Sequence, residues 1–336
     1  MKIFISLGLL LLLILPTAQA AAPDSRIEGA KREKRLVWWA TLSSTEANEV
    51  IKRFNRRYPF VDVEHWRATG EVIAEKIWAE FHAKRHTWDV VLGGENRKFP
   101  DLIKAGILQK WSVPGRANVH KQGKDPNGYW VVMGGNVIVP AYNTTLVPSS
   151  QAPRSWEDLL DPKWKGKLAV TTDVKPWVVL AQPGAWEKEK VRKYISRLVA
   201  NKPQIINGHT QAVALLAAGE FAIAAEVYLY RVRMLMKKGA PIDWARVNPV
   251  LFTGSAFILS KNAPHPNAAY LWLDWIFSDE GNKAVDEITG KGNPFPGSGT
   301  QQAEAIKGLS YVGRDDGYVY QNSEFANELS RILGIQ

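Results

Sequence analysis

Arginine, hydroxyl and tyrosine side chains that follow short apolar runs are the groups in this 336-residue chain best suited to hold a polar ligand. Thr41, Ser43 and Ser44 come directly after Leu36-Val37-Trp38-Trp39-Ala40 and open a helical pattern. Free N–H groups and the helix dipole favour an anion or a polar oxygen there. The same hydroxyls can serve as simple caps, and both roles stay open. Arg67, Thr69 and Gly70 repeat the arrangement after Val61 to Trp66. Arginine offers a planar fork that matches carboxylate or phosphate, and glycine lets a ligand approach the backbone closely. Thr171, Thr172 and Asp173 follow a third run, with Lys175 just beyond, and Asn207, Gly208, His209 and Thr210 begin another helix. These are candidates by position, since most polar loop residues only cap or face water.

Several chemistries are excluded. The chain has no cysteine, so disulfides, zinc–thiolate sites and cysteine nucleophiles are impossible. His82 and His86 share a helical spacing but lack the glutamate of His-Glu-x-x-His, and with Lys84 and Arg85 between them they read as a solvated helix end. There is no Gly-x-Ser-x-Gly elbow; Gly297-Ser298-Gly299 lies in a Pro/Gly-rich loop. No P-loop is present. No catalytic residue and no cofactor are therefore expected. The 14 tryptophans are scattered from Trp38 to Trp275, which suits core and cleft positions more than a stacking platform.

The elements that must position these residues alternate. Leu36 to Ala40 reads as a buried strand, Ser43-Ser44-Thr45-Glu46 as a capping box, and Ala47, Val50, Ile51, Phe54 and Tyr58 as the inner face of a helix. Val61 to Trp66 alternates like a strand, Gly70 opens a helix with Ile73, Ile77 and Phe81 on one face, and Trp88 to Gly94 is a second buried strand. Gly166 to Val170 and Phe221 to Ala225 read as strands, and Val250 to Ser260 as a long one. Helices are expected over Trp186 to Ala200, Thr210 to Ala218, Tyr228 to Lys238 and Pro264 to Phe277. Such alternation implies an α/β fold on a mostly parallel sheet.

Compartment and charge follow. Lys2, the apolar run Ile3 to Leu15 and Ala18-Gln19-Ala20 form a secretory signal over residues 1–20, too short for a membrane span. No cysteine follows that could carry a lipid, so a soluble periplasmic protein is expected. The polar stretch at 21–35 reads as a tether. The chain carries 43 Lys and Arg against 33 Asp and Glu, and the excess is concentrated between Tyr142 and Phe252. A basic cleft there could concentrate an anionic ligand. Export, and the absence of interleaved basic and aromatic runs, argue against nucleic acid.

Asn262-Ala263-Pro264-His265-Pro266-Asn267-Ala268-Ala269, continuing to Trp275-Ile276-Phe277-Ser278-Asp279-Glu280-Gly281, resembles the signature of extracellular solute-binding proteins of ABC importers. The resemblance is to the branch that contains ferric-ion, spermidine/putrescine, thiamine and phosphonate receptors. Leu36 to Ser44, Arg67 to Gly70, Ser155 to Leu159 through Gly166-Lys167, and Leu215 to Glu220 agree with it in order. It implies a two-lobed type 2 periplasmic binding fold with two hinge crossings: 36–141 as the first part of lobe one, 142–252 as lobe two, and 253–336 as the rest of lobe one with a C-terminal tail. The crossings would be Val137 to Asn143 and Val250 to Phe257, which adds Tyr142 to the candidate ligand contacts.

The implied function is capture of a small ligand and its delivery to an ABC permease with its ATPase, by a monomer and without chemistry. A sensor or secreted enzyme on the same scaffold is the alternative. Ferric receptors of the family carry adjacent tyrosines after the strand that ends near Ala225. Here the pair reads Val227-Tyr228, with Glu226 before it, so one phenolate is missing. Hard Fe³⁺ favours anionic oxygens. Small organic anions therefore rank above bare ferric iron, a ferric ion held by Glu226 and Tyr228 with a synergistic anion stays open, and the basic middle lobe disfavours polyamines.

Overall fold

The strand–loop–helix units expected from periodicity form in the computed structural model, which describes residues 24–93, 98–295, 297–313, 318 and 321–335. The expected signal at 1–20 lies outside the described residues. The first unit is β1 (Arg35–Ala40), α2 (Ser44–Arg57) and β2 (Asp62–Arg67), followed by α3 (Gly70–His82) and β3 (Val90–Leu92), with α1 (Asp24–Glu33) preceding them all. Ser43 caps α2 by accepting from the Glu46 N–H while Glu46 accepts from the Ser43 N–H, the capping box read from the sequence. A long strand β4 (Trp130–Asn143) then leads to β5 (Leu168–Thr171), α5 (Lys175–Leu180), α6 (Lys188–Ala200), β6 (Gln204–Ile206), α7 (His209–Ala218), β7 (Ile223–Tyr228), α8 (Leu229–Lys237) and β8 (Ile242–Trp244). The second long strand, β9 (Val250–Leu259), precedes α9 (Pro266–Ile276), α10 (Asp279–Thr289), α11 (Gln301–Ala305), β10 (Tyr311–Gly313) and α12 (Ser323–Leu333).

One ten-stranded sheet runs β2-β1-β3-β9-β4-β7-β5-β6, with β10 beside β9 and β8 beside β4. β1 is parallel to β2 and β3, and β5 is parallel to β6 and β7. Between these parallel groups β9 and β4 run antiparallel, because one strand leaves the first group and the other returns to it. β4 pairs with β9 over Trp130 to Ile138 and with β7 over Ile138 to Tyr142, so a single strand belongs to both halves. This is the two-lobed α/β fold with paired crossings.

Each half has its own aromatic core. In the first, the Trp38 ring lies 4.8 Å from Trp272, which meets Phe54 edge-on at 4.9 Å. In the second, Trp156 packs against Trp177 at 5.7 Å, and Tyr194 donates to the Trp156 carbonyl at 2.9 Å. A third cluster on the other sheet face runs through both halves, from Trp39 and Ile77 to Val213 and Leu229.

Three expectations are corrected. The stretch read as a tether is helix α1. Its Glu33 carboxylate accepts the Asn267 and Ala268 N–H groups that begin α9, and Gly29 lies so close to Asn267 that a Cβ would clash at 2.4 Å. Phe81 is 39 % exposed rather than buried, and the neighbouring Glu80 turns inward onto the Thr87 N–H and hydroxyl. The stretch expected as a C-terminal tail carries α12, whose Phe325, Leu329 and Leu333 enter the core around Trp156 and Trp177, and Arg192 of α6 pairs with Glu328.

Candidate functional site

Parallel pairing sets the loops after β1 and β2 side by side, with Ala40 opposite Arg67. That places Thr41 and Ser43 next to Arg67 at the carboxyl edge of the sheet, where open α/β folds bind ligands. In the other half, β5, β6 and β7 are likewise parallel and bring their following residues together. The Thr172 hydroxyl lies 3.3 Å from Asn207 Oδ1. His209 directs Nε2 to Asp173 Oδ2 at 3.4 Å and Nδ1 to the Glu226 carbonyl at 3.2 Å. Its ring packs 4.1 Å from Tyr228, and Tyr228 stacks on Tyr230 at 6.0 Å.

Beside the first group lies a cleft of about 590 Å³, which Tyr230, but not Thr172, Asp173, Asn207, His209 or Tyr228, lines from the second. Thr41, Ser43, Glu46 and Arg67 line it from one half, Thr210 and the α8 residues Tyr230, Arg231, Arg233, Met234 and Lys237 from the other. Asp286, Glu287, Lys291 and Gln301 complete the wall. Arg67, Arg231, Arg233, Lys237 and Lys291 outnumber the carboxylates Glu46, Asp286 and Glu287, so the cleft is cationic. Lys291 pairs with Glu46 at 3.3 Å, and Glu287 with Arg53 at 3.5 Å. Among the described residues, neither Arg67 nor Arg231 has a carboxylate partner.

The expected residues divide by depth. Thr41, Ser43 and Arg67 face the cleft. Thr69 caps α3 through its hydroxyl at 3.5 Å from the Val72 N–H, Gly70 begins that helix, and Ser44 begins α2. Gly208 adopts φ 86° ahead of α7, a conformation that favours glycine. Thr171, Asp173, His209 and Glu226 form the layer behind Tyr228. Tyr142 points into the lobe-two core, with its hydroxyl 3.5 Å from Asp243 Oδ2; burial, then the Asp243 charge, pushes that phenol up.

Glu226 is fully buried, because β7 continues to Tyr228 instead of ending at Ala225. One carboxylate oxygen accepts the Thr171 N–H at 2.5 Å, and the other has no partner among the described residues. Burial drives this carboxyl well above the usual range, the Asp173 charge adds to that, and Thr171 opposes it. Asp173 is also pushed up by burial, yet the His209 hydrogen bond and charge, with Lys175, bring it net below its usual range.

Among the described residues no three His, Cys, Asp or Glu side chains converge as metal ligands. His82 stacks on Trp78 at 5.8 Å while His86 faces Asn262 at 3.4 Å, so the two histidines do not form a pair. Sequence reasoning missed Arg233, Lys237, Asp286, Lys291 and Gln301. The first two share a face of α8 with Tyr230 at helical spacing, a legible signal. Lys291 stands in Gly290-Lys291-Gly292, where Gly290 closes α10 in the left-handed conformation and a Cβ on Gly292 would meet Asp286 at 2.4 Å.

Comparison with known proteins agrees with the two-lobed fold. The family model described as "Bacterial extracellular solute-binding protein" matches residues 49–307. Iron uptake protein A2 of Synechocystis is 27% identical over 261 residues, 71% of this chain and 73% of that protein. The Trichodesmium IdiA (FutA) structure with iron and citrate superposes with TM-score 0.72 at 17% identity, covering 90% of this chain and 100% of that one. AfuA of Actinobacillus pleuropneumoniae, with fructose-6-phosphate bound, gives TM-score 0.65 at 18% identity over 90% and 99% of the chains.

Proposed function

We propose, on the premise that this chain belongs to the bacterial extracellular solute-binding protein family and is a solute-binding component of an ABC importer rather than an enzyme, that its cleft captures a small organic anion. The carrying observation is the pair Arg67 and Arg231, one on each wall of the same cleft and neither matched by a carboxylate among the described residues. A guanidinium left without its own counter-ion is stabilised by a ligand carboxylate or phosphate that bonds it bidentately. Thr41 and Ser43 supply hydroxyls beside Arg67. A ligand touching both walls prefers the closed form, and that difference in affinity is what drives closure. Residues 36–141 and 253 onward form one lobe and 142–252 the other, with α12 folded onto the second.

The AfuA neighbour holds a sugar phosphate, which fits this chemistry. Ferric iron carried with a carboxylate anion is the second reading, favoured by Tyr230 at the α8 wall, with Tyr228 stacked against it, and by the iron-related relatives. The chain acts as a monomer outside the cytoplasm, exported by residues 1–20 without lipid attachment, and hands its ligand to a permease. A thermal-shift screen of fructose-6-phosphate, alkylphosphonates, dicarboxylates and ferric citrate tests the reading, since a ligand of the native state raises the melting point. Arg67→Ala and Arg231→Ala should each weaken the best anion by about tenfold or more, measured by calorimetry. Equal affinity in both variants would remove the cleft from the account.

A further inference from the structure

Five contacts around the cleft converge on Lys291 and Gln301. The Lys291 ammonium pairs with Glu46 of α2 at 3.3 Å and sits 4.9 Å over the ring of Tyr230 on α8. The Gln301 N–H donates to Asp286 of α10 at 2.8 Å. Its carbonyl accepts from Arg233, and its side-chain oxygen accepts from Lys237 at 2.6 Å. Tyr230, Arg233 and Lys237 are spaced three and four apart and so share one face of α8. Each of the two residues thus holds lobe one through a carboxylate and lobe two through α8.

Both are rooted on the crossing strand. The Gly135 N–H of β4 donates to the Lys291 carbonyl at 2.9 Å. Gln302, next to Gln301, donates its amide to the Gly135 and Gly292 carbonyls at 3.0 and 2.8 Å and accepts the Val137 N–H at 3.4 Å. β4 shifts register between Val132 and Gly134, and a Cβ on Gly134 would strike the Lys291 carbonyl at 1.9 Å. Only glycine lets the strand come so close.

From this arrangement we propose that Lys291 and Gln301 are positioning residues forming an interlobe clasp, which holds the ligand-free cleft partly closed and so strengthens ligand binding. When the lobes swing apart, the contacts to β4, Glu46 and Asp286 lie within one half and survive. The contacts to Tyr230, Arg233 and Lys237 must break. Partly exposed hydrogen bonds and cation–ring contacts shift a two-state balance by about two- to tenfold each, so the clasp biases closure without freezing it. A closed form populated in advance reduces the fraction of binding strength spent on closing. The inference rests on the two-lobed fold and not on the ligand class.

The absence of cysteine makes the test direct. Glu71→Cys on α3 and Lys193→Cys on α6 accept spin labels, and the distance between them reports lobe separation in the ligand-free chain. Lys291→Met, and separately Arg233→Met with Lys237→Met, should move population to longer distances. NaCl at about 0.5 M, which shortens the screening length to about 4 Å, should do part of the same in the parent. Lys307→Met, at an exposed position away from the cleft, should change nothing. Thermal melts check folding, and Tyr230→Leu, which removes the ring under Lys291 and leaves the Lys291–Glu46 pair in place, carries the test if a methionine variant melts early. A parent already fully open, or distributions unmoved by the variants, would overturn the clasp. Failure of every anion to bind leaves this readout intact, and failure of the clasp leaves the anion reading standing.

Discussion

Glu226 and Asp173 lie within one hydrogen-bonded layer and answer to pH with opposite signs. Burial holds the Glu226 carboxyl neutral well above the usual range, so the unfolded chain releases this proton at lower pH than the folded one. Stability from this group is full below the unfolded value and falls as pH rises toward the folded one. Glu226→Gln keeps the acceptor for Thr171 without the ionisable group. Its melting temperature should gain on the parent as pH goes from about 5 to 8, and a constant difference would show that the carboxyl is not held neutral. Asp173, net lowered, contributes in the other direction: its share is present above the ordinary carboxylate range and lost as pH falls through its folded value. Sequence reading found both residues and placed Glu226 as a ligand contact. It could not see that a strand covered on both faces continues to Tyr228, since such a strand shows no alternation to mark its end.

At the scale of elements, Asp89 shows how a buried carboxyl fixes a junction. It is fully buried and accepts the Val37 N–H at 2.7 Å, the His265 N–H at 2.7 Å and His265 Nδ1 at 2.9 Å, tying β1 to the start of α9. Asp89→Ala leaves these buried donors without an acceptor and should lower unfolding stability by about 3 kcal/mol in a urea titration. A loss under about 1 kcal/mol would mean the junction holds without it. α1 was illegible for a related reason. It buries Ala30 but few other apolar groups, so it has no hydrophobic period, and its anchor is Glu33 on a helix end more than two hundred residues away. α2 was legible because its capping box and its buried Ala47, Val50 and Phe54 are all local in sequence.

The whole molecule is two α/β lobes sharing β4 and β9, so the proposed closure would be a rotation about two strands whose hydrogen bonds persist. If the clasp pre-closes the cleft, ligand should shrink the radius of gyration less in the parent than in Lys291→Met. X-ray scattering with the best ligand of the thermal screen measures both. Equal shrinkage would mean that Lys291 leaves the resting balance alone.

Local pattern alone determined the longer strands, the principal helices and a charge excess that pointed to an anion, because period, caps and glycine stops act over a few residues; the crossings came from the family resemblance, and the three-residue strands β6, β8 and β10 went unread. It also placed Thr41, Ser43 and Arg67 at one edge, since loops after parallel strands must meet there. The tertiary structure decided which polar residues face the cleft and which lie behind it. It brought Lys291 and Gln301 against α8 across long stretches of chain, sent Glu226 and Tyr142 inward, and folded α12 onto the far lobe. Those outcomes depend on which surfaces pack when distant elements meet, and no short window of residues carries that information.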